Sequence, residues 1–278
     1  MSIIIPSIQD VKASHLPSGT IRGGGSLADL VYPDLHRGCV LAMPFSLGAT
    51  GGTSLDVSGY NNNGTLTNGP TWQGRDGLSF DGVNDYVELP NISTDSTGTV
   101  TAWVYADDAS AIEVVTQADS DGPDYFSLIM NANDIQMIHT AGGNLYSTSN
   151  QIAFGRWYHF AWSNAGLLFV DGKSMATTGS WPGNWFADVP GADNLKIGAL
   201  FYNSAFAAYW DGKIDDVRIY NRTLSAEEIA RLFTAGRPGI TGGIYQARLR
   251  PRVFAFTSAV TPWLYIRRQS QIIGGGTL

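Results

Sequence analysis

Residues 210–233 read WDGKIDDVRIYNRTLSAEEIARLF, and this stretch carries both a strand and a helix signature. From Gly212 to Tyr220, β-branched and aromatic residues alternate with charged ones at period two, the mark of a half-buried strand. On that alternation Val217 and Ile219 share an inward face. Asp215 is expected to point inward with them, and Asp216 outward. The pattern then changes. Ser225 stands where an N-cap belongs, and Glu228 completes a capping box three residues on. Ile229, Leu232 and Phe233 form one apolar stripe. Gly236 and Pro238 end the helix.

Working outward, the same alternation recurs in LSFDGVNDYVEL (78–89), TVTAWVYA (99–106), DYFSLIM (124–130), RWYHFAW (156–162) and GLLFVDGKSM (166–175). In the last of these, Asp171-Gly172 separates two strand-like runs. Both residues accept the positive φ of a type I′ turn, so a hairpin is expected there. The chain has 278 residues with 33 glycines and 12% aromatics. Of its 24 acidic residues, 20 are Asp and four are Glu, which favours turns over helix interiors. Cys39 is the single cysteine, so no intrachain disulfide forms, and its apolar surroundings mark it as a small buried hydrophobe.

Charge divides the chain into three parts. Residues 1–37 hold three basic and three acidic residues, and residues 38–236 hold eight basic and 21 acidic ones. Residues 237–278 hold six arginines and no acid. The expected organisation is therefore an N-terminal arm (1–37), a β-sandwich (38–236) and a basic aromatic C-terminal arm (237–278).

Several stretches together resemble the concanavalin A-like, laminin-G-like family. They are VLAMPFSLGATGGTSLDVSGYNNNGTLTNGPTW (40–72), LSFDGVNDYVELP (78–90) with TVTAWVYADD (99–108), RWYHFAWS with GLLFVDGK (156–173), and LKIGAL (195–200) with the opening quotation. They occur in the family's order over about residues 38–235. The resemblance implies an all-β, two-sheet antiparallel jelly roll with one short C-terminal helix. It is a fold used by lectins, adhesins, some glycanases and viral surface proteins.

Glycanases of that family place carboxylates on one strand as Glu-x-Asp-x-Glu, and no such triplet occurs here. Retaining and inverting chemistry needs two carboxyl groups at defined separations, and Glu88 and Glu113 lack a spaced partner. His15, His36, His139 and His159 are scattered, with no metal-protease spacing. No enzyme is expected.

Many relatives carry structural Ca²⁺ where the first and last strands meet. The resemblance makes Asp56, Asn61 and Asp215 the candidate ligands, since Ca²⁺ takes six to eight oxygens. Equally, Asp56 and the asparagines that follow can simply build turns. In the loop GSWPGNWFADVPGADN (179–194), Trp181, Trp185 and Phe186 form either a sugar-stacking platform or a cap on the core or a subunit contact.

The arms do not belong to the family pattern. In the C-terminal one, Arg248, Arg250, Arg252, Arg267 and Arg268 interleave with aromatics such as Trp263 and Tyr265. Aromatic residues of this kind are not linker chemistry. The expected partners are copies of the same chain, whose body is acidic, or other virion proteins, with nucleic acid ranked behind them. There is no basic leader and no membrane-length apolar run. The expected role is that of a non-enzymatic bacteriophage virion component, a capsid decoration or other head or tail protein, made in the host cytoplasm. The alternative is a lectin or adhesin module that binds a host-surface glycan, and a glycan hydrolase comes third.

Overall fold

The computed structural model describes residues 33–45, 51–92, 96–108, 112–131, 133–140, 142–147 and 152–236. In chain order the strands are β1 (Cys39–Met43), β2 (Thr53–Ser54), β3 (Gly64–Thr67), β4 (Thr71–Trp72), β5 (Leu78–Asp81), β6 (Tyr86–Leu89), β7 (Thr99–Ala106), β8 (Ile112–Ala118), β9 (Tyr125–Asn131) and β10 (Asp134–His139). They continue as β11 (Gly143–Ser147), β12 (Trp157–Ser163), β13 (Leu167–Val170), β14 (Lys173–Ser174), β15 (Thr177–Ser180), β16 (Asn194–Ile197), β17 (Ala199–Tyr202), β18 (Ala205–Tyr209) and β19 (Asp211–Tyr220). The helix α1 (Ala226–Ala235) follows.

Two antiparallel sheets form the jelly-roll sandwich. One runs β14-β13-β12-β7-β19-β5-β4, with β1 also paired to β19. The other has nine strands in the order β15-β11-β10-β9-β8-β16-β6-β3-β2. Val100, Ala102 and Val104 of β7 face Phe126, Leu128 and Met130 of β9 across a single apolar core. Each such side chain, fully buried, contributes about 1.5–3 kcal/mol.

A smaller cluster lies on the outer side of the first sheet, beneath α1. Cys39, Ala161, Phe169, Tyr220, Leu224, Ile229 and Leu232 build it, together with Leu35. Leu35 thus joins the body, although the sequence places it in the N-terminal arm. The helix is capped as its sequence demands: the Ser225 side chain accepts from the Glu228 N–H, and Glu228 accepts from the Ser225 N–H. Arg222 adds two bonds to the Glu228 carboxylate, at 2.9 and 2.7 Å. The Asp171-Gly172 turn has φ of 50° and 75°, as a type I′ hairpin needs.

One expectation is corrected in β19. Its pairing with β7 shifts register between Asp215 and Arg218, and Asp216 has φ 45°. This bulge puts Asp215 opposite Trp103, on the face covered by α1, where Trp103 stacks on Phe233 at 5.7 Å. Val217 and Ile219 do face the core. Asp216 is also buried rather than outward, and it accepts from Arg218 Nε at 3.0 Å. Residues 237–278, including Arg248, Arg250, Arg252, Trp263, Tyr265, Arg267 and Arg268, lie outside the described residues.

Candidate sugar-binding face

Strand pairing sets which side chains share a face, because residues directly opposite one another point the same way. On the outer face of the nine-stranded sheet this gives three rows. Tyr125 lies beside Thr140, whose N–H donates to the Tyr125 carbonyl at 3.1 Å. Next come Ser127, Ile138, Asn144 and Ser180, and then Ile129, Gln136, Tyr146 and Thr178. Of these residues Tyr125, Thr140, Ile138, Asn144, Ser180 and Tyr146 line an open groove of about 560 Å³. Tyr125 and Tyr146 are half-buried in its lining, while Thr140, Asn144 and Ser180 are exposed. Among the described residues neither Lys nor Arg lines it. The ring of His139, which also contributes to the wall, packs edge-on against Phe126 at 5.9 Å, and burial lowers its pKa.

The hairpin formed by β17 and β18 lies on this same face. The chain turns out of β16 at Gly198, φ 86°, where an added Cβ would sit 2.7 Å from the Phe80 ring. Thr116 Oγ1 of β8 donates to the Ala199 carbonyl at 2.7 Å. At the tip, the Asn203 and Ser204 N–H groups donate to Gly122 and Ser120 carbonyls at 2.8 and 2.6 Å. One flank of the hairpin places Tyr202 against Tyr125 of β9. The other places Phe206 against Tyr86 of β6. The hairpin therefore straddles β8 and β16 and divides the face in two.

Glu113 sits beneath this region, in the row of Ile129. It is 7% exposed and accepts a hydrogen bond from the Ser127 hydroxyl. Burial pushes its pKa up to about 7, against the smaller opposing effect of that bond. Burial foremost, then Tyr202 and Glu113, raises the Tyr125 pKa.

The residues expected to form sites are placed otherwise. Trp185 is fully buried and Phe186 is 2% exposed; both pack on Phe126, at 5.2 and 5.0 Å. Trp181 is half-buried, with its Nε1 donating to the Asn164 carbonyl at 3.0 Å. The three pack against the core, one of the alternatives the sequence left open: rings of this size find more apolar area there than in solvent.

Of the calcium candidates, Asp56 and Asp215 accept hydrogen bonds from within the chain. Asp56 Oδ1 accepts from the Ala42 and Ser58 N–H groups at 2.9 and 2.8 Å. Its Oδ2 accepts from Ser58 Oγ and the Asn62 N–H at 2.7 and 2.9 Å. Four donors use the four lone-pair directions of a carboxylate. Asn61, at φ 64°, shapes the turn. Asp215 Oδ1 accepts the Asp216 N–H at 2.8 Å. Among the described residues no group of three His, Cys, Asp or Glu side chains is placed to hold a metal. None of their helices is long and apolar enough to cross a membrane.

Residues 81–230 match the concanavalin A-like lectin/glucanases superfamily, and the chain belongs to it. Residues 39–80, before the matched span, supply β1–β4 and most of β5 to the same sandwich. No curated protein matches in sequence. Among solved structures, the chain is similar to Trypanosoma rangeli sialidase in complex with sialic acid (TM-score 0.53, 21% identity, 71% of this chain and 33% of that one). It is also similar to the binding domain of Paraclostridial Mosquitocidal Protein 1 (TM-score 0.50, 15% identity, 72% and 53%). At these identities the likeness is one of fold. The chain spans about a third of the sialidase's length.

Proposed function

We propose that this chain is a lectin-like carbohydrate-binding module, and that its ligand lies in the groove on the outer face of the nine-stranded sheet. The observation that carries this reading is the groove itself. Two half-buried tyrosines, Tyr125 and Tyr146, line it together with exposed hydroxyl and amide groups from Thr140, Asn144 and Ser180. A sugar offers an apolar C–H face and a rim of hydroxyls, so it needs both kinds of surface in one concave place. That the chain belongs to a superfamily of lectins and glucanases agrees with this reading.

Binding proceeds without hydrolysis in this reading. The two glutamates of the face are engaged, Glu88 by Lys196 and Glu113 by Ser127. The experiment is a glycan array followed by titration. Tyr146→Ala, on a ring that no other ring supports among the described residues, lowers affinity at least about tenfold with an unchanged melting temperature. An array with no hit removes the reading, and release of reducing ends would return the chain to the hydrolases.

The expectation of a virion assembly protein rests on the two arms and the absence of a catalytic motif, and residues 1–32 and 237–278 of those arms lie outside the described residues. Its support is the segregation of charge along the chain.

A further inference from the structure

We propose that the strip of sheet beyond the hairpin is a second sugar subsite, and that the two together take a chain of neutral sugars rather than one acidic terminal sugar. This rests on the reading of the groove given above.

The strip begins where the hairpin's far flank meets β6. Phe206 is 38% exposed, one of few large apolar side chains left so open among the described residues. It is not loose. Its ring lies 4.7 Å from Phe201, 5.2 Å from Tyr86 and 5.3 Å from Tyr209, stacked on the last. A rigid, partly wet aromatic ring is an inexpensive binding surface, since little side-chain entropy remains to be lost.

Beside it stands a hydrogen-bond acceptor. Lys196 Nζ donates to both oxygens of Glu88, at 2.8 and 2.7 Å. The lysine side chain is 5% exposed, but that of Glu88 is 41% exposed. The Glu88 carboxylate thus keeps solvent-facing lone pairs for ligand hydroxyls. Thr65 and Thr67, opposite Glu88 and Tyr86, extend the polar row.

Charge selects the ligand. Among the described residues no Lys or Arg lines the groove, and the lysine of the second strip is spent on Glu88. A carboxylated sugar would meet Glu88, whose partner Lys196 is already paired with it. Geometry selects its length. Strands β9 and β6 are separated by β8 and β16, three inter-strand spacings or about 14 Å. That exceeds one sugar ring, so a ligand touching both strips is a chain.

The test uses the full chain and isothermal titration with cello-, manno-, xylo- and chito-oligosaccharides of two to six residues, and with 3′-sialyllactose. For at least one neutral series, affinity rises about tenfold or more from the shortest to the longest member, as a second linked contact provides. Phe206→Ala flattens that rise and leaves the shortest member's affinity unchanged, while Phe206→Tyr retains the rise. If Phe206→Ala keeps the full rise while Tyr146→Ala abolishes binding, the second subsite is wrong and the groove stands. Tighter binding of sialyllactose than of every neutral series overturns the neutral-chain proposal. If no series binds, or if Tyr146→Ala changes nothing, the groove reading itself has failed.

Discussion

The ring of Tyr202, on the hairpin, lies 4.8 Å centroid to centroid from the ring of Tyr125, on β9. This contact ties an element that folds out of the sandwich to the groove's floor. An aromatic pair of this kind is worth about 0.5–1.5 kcal/mol beyond its buried area. Tyr202→Ala therefore lowers the melting temperature by roughly 2–4 °C and weakens groove binding several-fold. Calorimetry and titration read the two effects separately. An unchanged melt with unchanged amide resonances around Tyr125 would show the contact to be incidental.

Stability should pass through a maximum on the mildly acidic side of neutrality. Glu113 holds its proton more tightly when folded, with a pKa near 7 against an ordinary 4.5. Its favourable contribution is full below pH 4.5 and is lost as pH rises through about 7, a cost of about 3 kcal/mol at most. The histidines act in the other direction. Burial, and then Arg218, lowers His159 to about 3 and His36 to about 4. Their contribution is full above pH 6.5 and is lost as pH falls toward those values. Glu113→Gln therefore stabilises the protein at pH 8 and has little effect at pH 5. Urea melts at the two pH values decide this, and an equal effect at both would mean that the carboxyl titrates normally.

Removing calcium should have no effect. The Asp56 carboxylate already accepts four hydrogen bonds, so a cation would have to displace donors it cannot replace. Melting temperatures in excess EDTA and in excess Ca²⁺ should agree within about 1 °C. A clear rise with Ca²⁺ would restore the expected site.

Deleting residues 237–278 should leave a folded, monomeric body with little change in melting temperature. Both sheets and both apolar clusters are built from residues before 237. The removed segment carries six arginines and no acid, whereas residues 38–236 carry 21 acids against eight bases. The full chain should self-associate at low salt and come apart as salt rises, since charge contacts are screened. Light scattering on both forms reads this. A truncated chain that unfolds would make the tail part of the sandwich and end its case as an assembly arm.

Some of this molecule is written locally. The alternation in 99–106 and 156–162, the Asp171-Gly172 turn and the Ser225–Glu228 capping box depend on neighbours a few residues away, and each forms where its pattern lies. The groove was not legible. β10, β11 and β15, which floor much of it, carry no alternation strong enough to single out, and their shared face exists only once long-range pairing sets the register. Parity along β19 also misled, because one extra residue in a bulge reverses the side of every residue before it. Nor can a sequence say whether Trp185 and Phe186 are wet or dry. That depends on a gap at the end of the core, and the gap is the joint product of two sheets. Composition and short-range order thus determined the fold class and the helix. Pairing between distant strands decided which side chains face the solvent together, and so where a ligand can lie.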